Sequence, residues 1–322
     1  MTENKNNRLW GIICVVLASM CYGITPILSN TALRGGLPEA FLKRLGLQAE
    51  HIAANPANAI PNESVVGFGM ALACVICLAH CLVKRVSLRV TRRQTLEMAV
   101  YGGGGFTATM LLISYAYLSI PAGTTIVINF TYPVLVAVFS ALIFKERFRI
   151  ASGIALALAI AGIALISGLG AGDALGENPA LGIPLALLSG LAYAVYFLAG
   201  RHASYSKTDT SVANVYITGS AAVICFVIAL LTGRFRLPPT VFLWIVLLSS
   251  AVLGYIIGLR LLLVGIRLLG SSTASALNTL EPVFASLTSV VVLGESMNAV
   301  KITGAALVLA GALMSILAER KD

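Results

Sequence analysis

Two stretches of the sequence share one pattern: Asn129–Glu146 reads NFTYPVLVAVFSALIFKE, and Asn278–Glu295 reads NTLEPVFASLTSVVVLGE. Each begins with Asn, has Pro-Val four residues later, continues as an apolar run and ends in Glu. The matched positions are all 149 residues apart. Two glycine pairs keep the same spacing, namely Gly105 with Gly254 and Gly162 with Gly311. The chain therefore contains an internal repeat.

The composition places these stretches in a membrane. Hydrophobic residues make up 58% of the 322 residues and charged residues only 11%, whereas soluble domains have roughly 45–50% and about 25%. The apolar runs are continuous instead of alternating, which excludes a membrane β-barrel. The net charge of +9 does not indicate a nucleic-acid partner, because the sequence has no basic patch with interleaved aromatic residues.

Apolar runs of about 20 residues are long enough to cross a bilayer, and the sequence contains ten. They cover residues 9–33, 64–83, 95–119, 124–144, 150–169, 180–200, 211–231, 240–266, 272–293 and 299–318. With both termini in the cytoplasm, the outside cations are Arg34, Lys43, Arg44, Arg234, Arg236 and Lys301. Most other Lys and Arg residues then lie inside, as the positive-inside rule requires. We expect a bacterial inner-membrane protein with this orientation.

The repeat divides the chain into two halves of five spans, residues 1–169 and 180–318, joined by a linker at 170–179. The first and sixth spans align 171 residues apart, with Tyr22 matching Tyr193. Because this offset exceeds 149, the first half contains an insertion, which we place in the outside loop 34–63. An odd number of spans inverts the second half relative to the first, as in many secondary transporters.

The paired N-x-x-[YE]-P-V segments, together with ten spans in two halves, resemble the EamA type of the drug/metabolite transporter superfamily. The resemblance covers nearly the whole chain except 34–63. It implies an all-α bundle of ten transmembrane helices, in two inverted five-helix repeats around a central cavity. It also implies transport of a small organic metabolite by alternating access.

Glu281 is a carboxyl group near the middle of the ninth span. At 1.5 Å per residue it lies ~15 Å from one end of the span and ~20 Å from the other. A charge at this depth costs roughly 2.5–3.5 kcal/mol, so Glu281 should face a cavity or a partner. It either gains and loses a proton, coupling transport to a proton gradient, or is a structural carboxyl group.

Each repeated segment combines an Asn with a helix-breaking Pro. Pro282 leaves the carbonyl of Asn278 unpaired, and Pro133 does the same to Asn129. Each Asn also lies one turn before Glu281 or Tyr132, on the same face. The prolines either build two polar turns of a binding site or only kink the helices for packing.

Arg260 is the other charged residue deep inside a span, since Glu97 and Lys301 lie within two residues of a span end. Three roles are open: an ion pair with Glu281, a clamp on the carboxylate of a zwitterionic solute, or snorkelling toward the cytoplasmic head groups. Five tyrosines offer a ring and a hydroxyl to a small amphipathic ligand or serve ordinary packing. They are Tyr22, Tyr101, Tyr132, Tyr193 and Tyr255.

Nothing in the sequence indicates an enzyme, a cofactor or a metal site. The chain has no G-x-S-x-G, H-E-x-x-H or P-loop motif. Four potential metal ligands lie on one helix, where cysteine also packs as a small apolar residue; they are Cys74, Cys77, His80 and Cys81. We therefore predict no catalytic residues and no metal ligands.

The sequence predicts a permease or exporter for a small solute, with an amino acid or amine favoured by one acid and one base in the membrane. Its partners would be the solute, the bilayer and protons, and it would act as a monomer or homodimer. The alternative is a lipid-handling or scaffold subunit that needs a partner chain.

Overall fold

The computed structural model describes residues 2–44, 46, 50–120, 122–145, 150–167, 178–293 and 298–319. Its helices are α1 (Thr2–Leu33), α2 (Glu39–Arg44), α3 (Asn62–Val83), α4 (Arg92–Glu97), α5 (Gly105–Ala116), α6 (Ala122–Asn129), α7 (Tyr132–Phe144), α8 (Ile150–Ile166), α9 (Pro179–His202), α10 (Thr210–Leu231), α11 (Val241–Ser250), α12 (Leu259–Leu269), α13 (Ser271–Asn278), α14 (Glu281–Leu293) and α15 (Ala299–Glu319). Short 3₁₀ turns lie at Glu50–Ile52 and Pro56–Asn58. Two π-helical segments, Met98–Gly104 and Ala251–Gly258, join α4 to α5 and α11 to α12.

The described residues form about ten membrane-length helical units, as predicted. Eight are long and apolar enough to cross a membrane, and Ile150–Ile166 and Ala299–Ser315 are two shorter apolar helices. In chain order the ten spans are α1, α3, α4–α5, α6–α7, α8, α9, α10, α11–α12, α13–α14 and α15. The all-α membrane fold is thereby confirmed. Across the described ranges, the single β-bridge pairs Leu37 with Ala53.

Each span of the first half has an equivalent five spans later, and equivalent spans make equivalent contacts. The fifth span packs on the tenth and the second on the seventh, so both pairs map onto themselves. The third packs on the sixth, as the eighth packs on the first. The fourth also packs on the sixth, as the ninth packs on the first. The contacts of the two halves therefore follow a pseudo-two-fold pattern.

The crossing of the fifth and tenth spans shows this relation at the level of atoms. A Cβ atom added to Gly162 would lie 2.5 Å from the carbonyl oxygen of Gly304. One added to Gly311 would lie 2.5 Å from the carbonyl oxygen of Ala155. The 149-residue offset relates Gly162 to Gly311 and Ala155 to Gly304, so the two contacts are equivalent. The repeat in the sequence is therefore also a repeat in helix packing. Small residues allow such close approach between helices in lipid.

The third and eighth spans each contain a π-helical segment rich in glycine. A Cβ atom on Gly102 would lie 2.6 Å from Ile217, and one on Gly254 would lie 2.9 Å from Thr25. π-Helical turns inside a helix change the direction in which later side chains point and occur often at functional sites. Both segments therefore reorient the residues that follow them.

The inserted loop is a folded segment tied to the rest of the protein. The sequence places Leu37, Phe41, Leu42 and Leu45 on one helical face, and the structure contains α2 at this position; Leu45 lies outside the described residues. The guanidinium group of Arg236 donates hydrogen bonds to the carbonyls of Ala57 and Ala59. The predicted linker 170–179 lies outside the described residues apart from its last two positions, as do Glu146 and Glu295.

Candidate functional site

The fourth and ninth spans both break at the repeated Asn and resume three residues later. Helix α6 ends at Asn129 and α7 begins at Tyr132, while α13 ends at Asn278 and α14 begins at Glu281. We call these segments the fourth-span break (129–132) and the ninth-span break (278–281). Pro133 and Pro282 follow directly, and proline suits the first turn of a new helix. Backbone polarity at this depth needs a protein or water partner.

Asn278 is the centre of the ninth-span break. Its side chain is buried, and its Oδ1 accepts a 3.1 Å hydrogen bond from the hydroxyl of Ser19. Three oxygens lie within hydrogen-bonding distance of its Nδ2 atom: Tyr132 Oη at 3.0 Å, Glu281 Oε2 at 3.2 Å and Tyr193 Oη at 3.4 Å. One amide thus joins the first, fourth, sixth and ninth spans.

Aromatic rings pack around this amide. The Tyr132 and Tyr193 ring centroids are 4.5 Å apart, and both rings also contact Phe197. Tyr22 interacts electrostatically with Glu281. Its hydroxyl is buried and has no hydrogen-bond partner. Buried hydroxyls normally have one, so Tyr22 has a donor free for a ligand.

Glu281 is the only member of the cluster that is both acidic and partly accessible. Its side chain accepts from Asn278, and none of the ion pairs among the described residues includes it. Tyr117 interacts with it electrostatically and is 41% exposed. An open cleft of about 530 Å³ lies one helical turn further along, lined by Gly23, Pro26 and Ala285 among others. The carboxyl group is therefore near open space.

The fourth-span break is closed by comparison. Asn129 Nδ2 donates a 2.7 Å hydrogen bond to the hydroxyl of Ser189. The carbonyl oxygen of Asn129 faces Gly190, where a Cβ atom would lie 2.9 Å away. Asn129 therefore holds the fourth span against the sixth.

The structure brings together five of the nine predicted ligand-binding or coupling residues, places a sixth at the edge of that group and separates three. Asn278, Glu281, Tyr132, Tyr193 and Tyr22 form one cluster. Tyr255 interacts electrostatically with Tyr22 and packs on Phe106 and against Gly69. Tyr101 is 42% exposed, and Asn129 contacts Ser189 as described. Arg260 lies in a separate cleft with Asn214, and the structure shows no ion pair between Arg260 and Glu281.

Sequence reasoning missed the serines that meet the two asparagines. Ser19 lies one helical turn from Tyr22, and Ser189 lies one turn from Tyr193, so each serine shares a face with a predicted residue. The 171-residue offset maps Ser19 onto Gly190, the neighbour of Ser189. That near-match was the available signal.

A cluster around a buried carboxylate at the start of the second span was also missed by the sequence analysis. Glu63 is 1% exposed, accepts a 2.5 Å hydrogen bond from Tyr115 and lies 3.3 Å from Arg234. Tyr115 and Arg234 also make a cation–π contact, with the guanidinium carbon 5.7 Å from the ring centroid. The cluster ties the second and third spans to the loop after the seventh.

Comparison with known proteins identifies the family. The model of the EamA-like transporter family matches residues 54–168 and 180–317. The chain belongs to the EamA-like transporter family. Its members are transporters and not enzymes, so this protein is an integral membrane transporter of small molecules. The predicted resemblance is confirmed.

Two similar proteins with curated names are bacterial. The chain is 27% identical over 263 residues to "Threonine/homoserine exporter RhtA" of Salmonella typhimurium strain LT2, and 25% identical to that of Escherichia coli strain K12. Each match covers 80% of this chain and 83% of the relative. A solved structure titled "Crystal structure of protein" shares the fold with a TM-score of 0.76, at 19% identity and 98% coverage of both chains.

Proposed function

We propose that this EamA-family transporter exports a small amino acid by proton-coupled alternating access, with the cluster around Asn278 and Glu281 as its binding site. The supporting observation is that one buried amide, Asn278, joins four spans beside a carboxyl group for which the described ranges contain no paired cation. The relatives that export threonine and homoserine support the substrate class.

Each part of an amino acid would find a complementary group in this cluster. Its ammonium group would bind the Glu281 carboxylate and the faces of the tyrosine rings, which attract cations. Its carboxylate would accept a hydrogen bond from the Tyr22 hydroxyl, which is buried without a partner. Tyr193 would contact the side chain of the solute.

Proton coupling follows from competition for one carboxyl group. A protonated Glu281 cannot bind an ammonium group as an ion pair, so the proton and the solute would occupy the site alternately. Neighbouring Asn278 can donate to either form of the carboxyl group. Protons entering from outside would then drive solute out of the cell.

The breaks in the fourth and ninth spans would supply the moving joints. Both lie where spans of opposite halves meet, and alternating access in inverted repeats rocks one half against the other around a fixed site. We place both termini in the cytoplasm and the protein in the bacterial inner membrane, on the distribution of cationic residues.

Proteoliposomes loaded with radiolabelled threonine or homoserine test this proposal. We expect a proton gradient to accelerate efflux through the wild type. Glu281→Gln should reduce that efflux to the level of loaded vesicles that contain no protein. The matched control is Glu39→Gln, since the Glu39 side chain is 74% exposed on α2. Equal gradient-driven efflux through wild type and Glu281→Gln would refute the role of Glu281.

A further inference from the structure

A second cleft, separate from the Asn278 cluster, lies between the second, seventh and eighth spans. It is an open cleft of about 390 Å³, a volume that includes the solvent space at its mouth. Its polar lining is His80, Ser211, Asn214 and Arg260, and its apolar lining includes Ile76 and Ile256. We call it the Arg260 cleft. It lies at the membrane side predicted to be cytoplasmic, because the second span ends at Val83 and continues into Lys84 and Arg85.

The Arg260 cleft faces away from the central cluster. Gly258 contacts the Tyr22 ring, where an added Cβ atom would lie 3.2 Å from it. Residues two apart on a helix point in different directions, and Arg260 accordingly lines the other side of the eighth span. A ligand in this cleft would therefore be a different molecule from the solute bound at Glu281.

The cleft is electropositive. Arg260 is exposed, and the described part of the chain offers it no direct ion pair. Asp209 interacts with it electrostatically. Oδ1 of Asp209 already accepts from the amides of Ser211 and Val212 as a helix cap. The Arg260 guanidinium group thus retains donors for an anion.

Asn214 adds an unpaired acceptor to the same cleft. Its side chain is 1% exposed and donates from Nδ2 to the carbonyl of Ile256 and to Cys77 Sγ. Its Oδ1 atom has no hydrogen-bond partner. Buried acceptors normally have a hydrogen-bond partner, so a ligand that supplies a hydroxyl or ammonium donor here is favoured.

The surroundings of the cleft suit an amphipathic ligand. Arg260 lies nine residues before the end of α12 at Leu269, ~13 Å along the helix axis, and a long cationic side chain reaches from this depth toward the head groups. Val75 and Ile257 are next to lining residues and are 64% and 39% exposed. Polar groups thus adjoin an apolar surface, as the head group of a lipid adjoins its acyl chains.

We propose that the Arg260 cleft binds the head group of an anionic phospholipid of the cytoplasmic leaflet. The phosphate would bind the Arg260 guanidinium, and a glycerol hydroxyl would donate to Asn214 Oδ1. The acyl chains would pass over Val75 and Ile257. Basic clefts between helices on this side of a membrane are suited to anionic head groups.

Native mass spectrometry of the purified protein with phosphatidylglycerol tests the proposal. We expect the wild type to bind phosphatidylglycerol but not phosphatidylcholine. Arg260→Gln should weaken binding about tenfold or more, because it removes a charge-assisted hydrogen bond. The matched control is Arg89→Gln, an exposed arginine in the loop on the same side of the membrane. Equal binding by wild type and Arg260→Gln would overturn the proposal.

Two further arms keep the test decisive. Should Arg260→Gln fail to fold, Asn214→Asp keeps the size of the side chain and places a negative charge against the phosphate. It should also weaken binding, and unchanged binding would again count against the site. Soluble glycerol 3-phosphate distinguishes the source of the phosphate. Displacement of the lipid by millimolar glycerol phosphate would show a site for soluble anions and overturn the lipid assignment.

Discussion

The fourth-span and ninth-span breaks have the same backbone pattern and different chemistry. Each interrupts a helix between an Asn and the residue three positions later, with Pro next. The fourth-span break has Tyr132 where the ninth-span break has Glu281, and Asn129 reaches Ser189 where Asn278 reaches four side chains. The repeat thus supplies two helix breaks, and one of them carries a carboxyl group.

This difference separates two requirements of a transporter. Rocking requires matching geometry in the two halves, and the matched crossings of the fifth and tenth spans provide it. Coupling requires one site that binds either a proton or a solute, and a second carboxyl group at Tyr132 would place two like charges close together. The asymmetry of the two breaks is therefore what the proposed mechanism requires.

The largest expected effect comes from exchanging the two asparagines for leucine. Asn278→Leu should abolish solute binding and transport, because it removes the group that positions Tyr132, Tyr193 and Glu281. Asn129→Leu should retain transport and lose about 0.5–1.5 kcal/mol of stability, because one buried hydrogen bond is lost while the Ser189 hydroxyl still donates to the carbonyl of Ala186. Flux in proteoliposomes and thermal unfolding in detergent measure the two effects. Equal loss of flux in both variants would remove the distinction between the breaks.

A smaller effect, on stability, is expected at the two glycines where the fifth and tenth spans cross. Gly162→Ala and Gly311→Ala should each destabilise the protein by about 1–3 kcal/mol, since the added methyl meets backbone atoms. Gly200→Ala is the control: its Cβ atom would meet only side chains at 3.4 Å or more, and alanine is the better helix former. Thermal unfolding of the three variants checks this. Two similar losses support a symmetric crossing, and an undisturbed Gly311→Ala would contradict it.

Disturbing the cluster of Glu63, Tyr115 and Arg234 should cost less stability than the two glycine substitutions. Tyr115→Phe removes one hydrogen bond to Glu63 and leaves Arg234 in place, so a loss of about 1 kcal/mol is expected. Tyr216→Phe is the matched control, because its hydroxyl donates to a backbone carbonyl, that of Leu88, instead of a carboxylate. A larger loss from the control in urea unfolding would count against the cluster.

The smallest effect concerns the start of the seventh span, which has a side-chain cap that the matching second span lacks. Burial opposes ionisation of Asp209, yet the amides of Ser211 and Val212 and the charge of Arg260 hold its pKa below the ordinary value. Asp209→Ala should therefore lose about 0.5–1 kcal/mol at pH 7. Because the folded pKa is the lower one, the contribution of the charge is present above pH ~4 and is lost as the pH falls through the folded pKa. Asp209→Asn, which keeps a cap, should approach wild-type stability under acid conditions; a gap that widens there would contradict the assignment.

The sequence was sufficient for features that depend on position along the chain. Pro133 and Pro282 indicate where the fourth and ninth spans are interrupted, and the 149-residue offset indicates which residues are equivalent. Depth followed from counting residues, which placed Glu281 near the middle of its span.

Features that depend on rotation about a helix axis were beyond the sequence. An ion pair with Glu281 is one of the roles that the sequence leaves open for Arg260, but a position within a span does not give the direction of a side chain. The π-helical segment Ala251–Gly258 precedes Arg260 and shifts the register that a regular α-helix would impose. The contact of Ser19 with Asn278 joins residues 259 positions apart, and no local pattern encodes it.

The most direct test of the central claim is proton movement caused by the solute. Vesicles containing the wild type would receive external threonine while a pH-sensitive dye reports protons in the medium. The account predicts that protons leave the vesicles as threonine enters, that Glu39→Gln behaves like the wild type, and that Glu281→Gln moves no protons. Threonine-dependent proton release by Glu281→Gln at the wild-type rate would show that the ninth-span break is not the coupling site.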